Sequence, residues 1–204
     1  MDRPKDKTDP DELLVKKAQK GDMEAFEALV LKYEKIVFNI SVRMLSDQDD
    51  ALDASQDVFL KVYKSIKGFK SEAKFSTWIY RVTSNVCLDI IRRRKDRASV
   101  SLDAKIEFDD GEASIDPISD TPCVEKEIER SELKRLVSEA VNELPENHRT
   151  MIILRDFQDM SYQDIAYVLD CPEGTIKSRI SRARKVLKDL LARKKELKGY
   201  INVI

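Results

Sequence analysis

Residues 161–184 read SYQDIAYVLDCPEGTIKSRISRAR, and the fold of the chain is decided there. Ser161 is a good helix N-cap, and Ser161 with Asp164 three residues on resembles a capping box with a shortened acid. Residues 162–169 then make a short helix with Ile165, Ala166, Val168 and Leu169 inward. Asp170, Cys171 and Pro172 form the turn, and Glu173, Gly174 and Thr175 open a second helix that runs at least to Leu191. Short helix, three-residue turn and long helix is the helix-turn-helix pattern. In that geometry the second helix enters the major groove with its N-terminal part toward the bases. That part offers Thr175, Lys177, Ser178, Ser181 and Arg182, clear of the inward set Ile176, Ile180, Ala183 and Leu187. Arg179, Arg184, Lys185 and Lys188 can reach phosphates. An ordinary helical hairpin with a solvated basic face would show the same pattern.

Working outward, residues 125–144 are helical, with Ile128, Leu133, Leu136, Val137, Ala140, Val141 and Leu144 apolar. Pro145 ends that helix, and residues 146–157 resume one carrying Met151, Ile152, Ile153 and Leu154. These segments define a second domain over 125–192, followed by a tail over 193–204 that is basic and then apolar. Upstream, the pattern collapses over 96–124, which holds Gly111, Pro117 and Pro122 and is rich in Asp and Glu. So polar a tract buries too little apolar surface to offset its ordering entropy, which predicts a flexible acidic linker. It is either a simple tether or an imitation of nucleic acid inside a positively charged channel.

A first domain is expected over 11–95, after a disordered leader over 1–10. Its decisive stretch is 69–95. Phe69 opens a polar loop that ends at Lys74, and no Gly or Pro interrupts a helix from Phe75 to Arg94. Phe75, Ile79, Val82, Val86 and Ile90 make a core stripe, and another face carries Trp78, Arg81, Asn85 and Arg92. The helix is expected to end in Arg92, Arg93, Arg94 and Lys95, where cations suit the helix dipole. An aromatic, an amide and cations on one face suit single-stranded nucleic acid, since unpaired bases stack on aromatic rings for roughly 1–3 kcal/mol each. The competing reading makes Trp78 a core residue and the Arg run a solvated helix end.

Before it come a helix over 11–20, a long helix that Asp22 caps and that ends near Leu45, and a turn over Ser46, Asp47, Gln48 and Asp49. A third helix over 50–66 shows Asp50, Asp53, Gln56 and Asp57 on one surface, with Phe59 and Tyr63 beside an apolar stripe. That surface is either the wet side of an amphipathic helix or a docking face for a basic partner.

Charged residues make up 37% of the 204, with 5 Gly and 6 Pro, a composition that suits helices and suits β architectures poorly. The net charge of −1 confines any basic footprint to local surfaces. Cys87, Cys123 and Cys171 lack zinc or redox spacing and read as reduced thiols of a cytosolic protein. There is no secretion signal and no run approaching the ~18 apolar residues of a membrane span. No Gly-rich phosphate loop, nucleophile set or metal cluster is visible, so no enzyme, cofactor, metal or small-molecule substrate is expected. Rival readings are a dimeric helix-turn-helix repressor and a nucleic-acid enzyme. The first needs no Trp78 and Arg run in a separate domain, and the second needs a catalytic constellation.

Two sets of residues resemble one family. Leu154-Arg155-Asp156-Phe157, Met160-Ser161-Tyr162-Gln163-Asp164-Ile165-Ala166 and the run from Asp170 to Arg184 resemble the C-terminal promoter-binding domain of extracytoplasmic-function sigma factors, the small group of the sigma-70 family. Independently, the run from Asp50 to Phe59 resembles their core-polymerase docking helix, and Phe69 to Phe75 with Thr77-Trp78-Ile79-Tyr80-Arg81-Val82 and Asn85 resembles their −10 recognition loop and helix. The resemblance spans about Leu13 to Leu191. Ala54-Ser55 stands where the family often has a bulky aliphatic, and Ser71-Glu72-Ala73-Lys74 where many members carry Gly and a small acid.

The resemblance implies an all-α chain of two small helical domains joined by the linker. It implies a cytoplasmic protein, monomeric when free, with core RNA polymerase and promoter DNA as partners and an anti-sigma factor, often membrane-anchored, as its regulator. Asp50, Asp53, Gln56, Asp57 and Phe59 would dock on polymerase. Phe69, Lys74, Trp78, Arg81, Asn85, Arg92 and Arg93 would serve the −10 element. Thr175, Lys177, Ser178, Arg179, Ser181, Arg182 and Arg184 would serve the −35 element.

Overall fold

The long second helix of the chain, α2 (Met23–Leu45), contains no Gly or Pro and sets apolar side chains at helical spacing. Leu29, Tyr33, Val37, Ile40 and Met44 on that stripe are all buried, and each fully buried large apolar side chain is worth about 1.5–3 kcal/mol. The computed structural model describes residues 9–100 and 124–194, with side-chain detail over 9–97 and 133–194. Among the described residues every regular element is helical, as an all-α chain requires, and the chain splits into two compact units. Residues 101–123 of the expected linker, the end of the tail and most of the leader lie outside the described residues, whereas 96–100, expected as linker, continue a helix.

The first unit has α2 at its centre, packed against α1 (Glu12–Gln19), α3 (Gln48–Ser65) and α4 (Phe75–Val100). Gly21, at φ 93°, makes the reversal from α1 to α2 without the strain a Cβ would bring. Asp22 caps α2, its carboxylate accepting the Ala25 N–H at 3.0 Å. Ser46 ends α2 in the left-handed region, and Asp47 caps α3 by accepting the Asp50 N–H at 2.8 Å. The expected turn is therefore shorter than read, because Gln48 and Asp49 already belong to α3.

Two expectations for α4 are corrected. The helix does not end at Lys95 but continues to Val100, so Arg92, Arg93, Arg94 and Lys95 lie within it and the dipole argument does not apply to them. Its buried face is also broader than the apolar stripe: Val82 and Ile90 are only half-buried, whereas Thr83, Ser84 and Cys87 are buried with Phe75, Ile79 and Val86. Thr83 tolerates this because its hydroxyl donates to the Ile79 carbonyl at 2.8 Å. Cys87 sits 3.6 Å from the Ser41 hydroxyl, and burial pushes its thiol up to about 11.

The second unit comprises α5 (Val124–Asn142), α6 (Glu146–Ile152), α7 (Tyr162–Leu169) as far as Ala166, and α8 (Glu173–Arg193), with α5 and α6 packed on α8. Met151, Ile152, Ile153 and Leu154 are consecutive and all buried, the mark of a helix surrounded by protein. The expected helix over 146–157 is not uniform. Its last turn, Ile153–Phe157, widens to π geometry, where the Gln158 N–H reaches back to the Ile153 carbonyl at 3.1 Å. Asp159, at φ 48°, then turns the chain toward α7.

Candidate nucleic-acid interface

The helix-turn-helix forms where the sequence places it. Ser161 caps α7, its hydroxyl accepting the Asp164 N–H at 3.0 Å and lying 2.7 Å from the Asp164 carboxylate. The shorter acid thus bonds the cap's hydroxyl, where a glutamate would reach the cap's backbone N–H. Asp170 ends α7 in the left-handed conformation, and α8 begins at Glu173. Ile176, Ile180 and Ala183 are buried beneath α8, while Leu187 is half-buried. The opposite surface exposes Lys177, Ser178, Arg179, Ser181 and Arg182, and Thr175 is half-buried.

Cations of α8 already have protein partners, and Arg179 donates to the Cys171 sulfur at 3.5 Å. Lys177 pairs with Glu173 at 2.8 Å, and that hydrogen bond raises its pKa above the ordinary lysine value. Its ammonium also lies 5.7 Å from the Tyr162 ring, whose centroid is 4.9 Å from the Arg155 guanidinium. Arg184 is exposed but pairs with Asp156 in the π turn, Nε donating at 3.3 Å and Nη2 donating to the second oxygen. That pair raises the Arg184 pKa further.

In the first unit, the loop before α4 starts and ends on buried aromatics. Phe69 and Phe75 are 9% and 0% exposed, and their rings meet edge to face at 5.9 Å. Trp78 lies half-buried on them, 4.9 Å from Phe69 and 5.6 Å from Phe75, while Tyr33 meets Phe75 at 5.5 Å. The Trp78 ring is thus partly core and partly surface. Between the anchors, Lys70, Ser71, Glu72 and Lys74 are exposed, with Ser71 at φ 55°. Farther along α4, Arg81 is half-buried and Asn85, Arg92 and Arg93 are exposed.

On α3, Asp53, Gln56 and Asp57 are exposed and Phe59 is half-buried. Asp50 is drawn away from them, because its carboxylate pairs with Arg94, which also reaches the Leu45 carbonyl at 3.5 Å. Leu52, Leu60 and Tyr63 are exposed on the same helix, so its outer surface is apolar as well as acidic.

Sequence reasoning missed the groups that hold these surfaces in place. Asp9 fell within the expected leader, yet its carboxylate accepts the Phe75 N–H at 2.7 Å. Gln19 donates to the Ile66 and Phe69 carbonyls at 3.0 and 2.8 Å. No local pattern signals partners so far away along the chain. Among the described residues there is no cluster of His, Cys, Asp or Glu fit to hold a metal, and no helix is long and apolar enough to cross a membrane.

The family model described as Sigma-70 region 2 matches residues 29–97, and that described as Sigma-70, region 4 matches residues 134–187. The RNA polymerase sigma-H factor of Pseudomonas aeruginosa is 36% identical over 181 residues, covering 87% of this chain and 91% of that one. The ECF RNA polymerase sigma-E factor of Haemophilus influenzae is 37% identical over 182 residues, covering 88% and 94%. Among solved structures, the sigma factor RpoE of Bartonella quintana, crystallised with the anti-sigma factor NepR, aligns with a TM-score of 0.65 at 26% identity, over 83% of this chain and 98% of that one. Residues in both compact units carry these matches, so the chain belongs to the extracytoplasmic-function sigma factors of the sigma-70 family.

Proposed function

We propose that the chain docks on core RNA polymerase through α3 and directs initiation by anchoring α8 at the −35 duplex while the loop and helix around Phe69, Trp78 and Asn85 capture and open the −10 element. The observation that carries this reading is the pairing of two unlike surfaces in one chain. The face of α8 is a row of cations and hydroxyls above a buried stripe, suited to a duplex groove. The region around Trp78 is a half-exposed ring beside an exposed loop, with Asn85 and the Arg92–Arg93 pair exposed farther along the same helix, suited to an unstacked strand. Asp53, Gln56 and Asp57 on α3 offer a basic partner complementary charge.

Mounting both domains on polymerase makes the second promoter contact intramolecular, so it gains from effective concentration. Base capture by the loop offsets an unstacking cost of a few kcal/mol, so opening needs no nucleotide hydrolysis by this chain. In this reading the chain is a cytoplasmic initiation factor without catalytic activity, monomeric when free, and held inactive by an anti-sigma factor. The complex of the Bartonella relative with NepR supports that last element. Alone, the chain binds promoters weakly, because each footprint is small and the net charge is −1.

Runoff transcription from a pool of promoter fragments tests the reading, with core polymerase alone, with the wild-type chain, and with Trp78→Ala or Arg182→Ala. Transcripts that require the wild-type chain, and that either substitution reduces, are the expected result. A chain that shifts duplex DNA as a dimer and never stimulates core would instead be a repressor.

A further inference from the structure

The loop that the proposed function assigns to base capture is fastened at both ends by α1 and the residues just before it. At its start, one side-chain amide, Gln19 Nε2, donates to two carbonyls, those of Ile66 at 3.0 Å and Phe69 at 2.8 Å. At its end, the Asp9 carboxylate accepts from the Phe75 N–H at 2.7 Å. Phe75 is the first residue of α4, so this N–H has no partner within its own helix. The second Asp9 oxygen accepts from the Asp11 N–H at 3.1 Å, and the Asp9 carbonyl accepts from the Glu12 N–H at 3.0 Å. One residue therefore serves the N-termini of α1 and α4 together, and its negative charge suits both helix dipoles.

The platform beneath is fixed as well. Asp11 is 1% exposed, accepts from the Tyr33 hydroxyl and pairs with Lys32. Burial and the bond to Asp11 push the Tyr33 phenol far above its ordinary range, so Tyr33 remains a hydrogen-bond donor. Its ring meets Phe75. The long-range side-chain bonds to the loop's ends thus come from residues 9–19, which the buried aromatic cluster supports.

We infer that Asp9 and Gln19 are positioning residues for strand capture, acting through the backbone at Phe69 and Phe75 and touching no DNA. The inference rests on the proposed function, since it needs the 70–74 loop to receive a base. A loop with one end released samples more conformations, and capture must then order it at a cost in affinity.

The test uses full-length chain in holoenzyme, on a promoter where the wild-type chain initiates. Three quantities are measured: affinity for core, affinity for the −35 duplex, and affinity for the non-template −10 single strand. Asp9→Ala and Gln19→Ala should each weaken single-strand binding about fivefold, with the other two affinities within twofold. Asp9→Asn should recover most of the loss, because asparagine also caps a helix. Equal losses in all three affinities would reduce Asp9 and Gln19 to general scaffold and overturn the inference. So would unchanged strand binding in both variants while Trp78→Ala and Lys74→Ala weaken it. If Trp78→Ala and Lys74→Ala are also silent, the capture reading of the loop has failed, and the inference fails with it.

Discussion

The two surfaces proposed to face DNA are built over different ranges of sequence. In the second unit the shaping devices are mostly local: Ser161 caps through Asp164, Asp170 turns the chain, and Lys177 pairs with Glu173 one turn away. On the face of α8 Arg184 reaches Asp156, 28 residues away, and away from that face, at the far end of α8, Lys194 reaches Glu139 across 55. In the first unit the loop is fixed by Gln19 across 50 residues and by Asp9 across 66. A duplex groove accepts a rigid helix as it is, and a short motif is enough to present one. Capturing a single strand needs an irregular loop, and an irregular backbone holds its shape only with help from outside the loop.

The comparison would break most visibly if the units did not melt separately. Leu154→Ala should destabilise the second unit by about 2–5 kcal/mol. The chain's one tryptophan, Trp78, lies in the first unit, so its fluorescence transition should stay in place while part of the far-ultraviolet dichroism melts earlier. A matching shift of both signals would make the chain one cooperative body. Next in size, Arg182→Ala should cost roughly 1–3 kcal/mol of −35 duplex binding and relax base preference. Lys185→Ala should weaken all sequences alike and lower the salt slope by about one, as a phosphate contact does. Titrations of fluorescent duplexes at several salt concentrations separate the two.

A smaller effect sharpens the contrast of ranges. Ser161→Ala and Asp47→Ala each remove a helix cap worth about 1 kcal/mol. In denaturant titrations Ser161→Ala should lower only the second unit's transition, and Asp47→Ala only the first's. The smallest concerns Lys194, which bonds Glu139 at 3.0 Å and Glu143 at 3.1 Å. The bond to Lys194 lowers the Glu139 pKa, so that contribution to stability exists above the ordinary glutamate range and is lost as pH falls below it. The bond to Glu139 raises the Lys194 pKa, so the same pair weakens as pH rises past the ordinary lysine range. Lys194→Ala should flatten the pH dependence of second-unit stability at both extremes and change it little at neutrality. Both carboxylates remain open to solvent, at 39% and 52% exposed, and screening there keeps the effect small.

The same difference in range decided what the sequence disclosed. The bounds of α7 and the start of α8 were legible because cap, turn and stripe all lie within one short stretch. The length of α4 was misread because a run of cations imitates a helix end, although no residue there breaks a helix. Trp78 was legible as an aromatic on a candidate face, but not as a ring resting on Phe69 and Phe75, since that requires the loop to fold back. Asp9 looked like part of a disordered leader because charge and a neighbouring proline signal disorder locally. Its partner, the Phe75 N–H, belongs to a helix that the leader's own sequence does not describe. Arg184 and Asp50 looked like contacts for outside partners, and each is tied to an opposite charge on another element of its own unit.

The edge-to-face rings of Phe69 and Phe75 bear on how promoter preference can diverge between lineages. They clamp both ends of an exposed insert, and the insert's own side chains contribute little to the core. If this insert receives a base as proposed, residues 70–74 are an exchangeable cassette: grafting another sequence there that keeps a residue tolerant of the left-handed conformation at 71 should alter the base accepted at little cost in melting temperature, whereas altering either ring should lower stability first. New specificities could then accumulate in the cassette without passing through poorly folded ancestors.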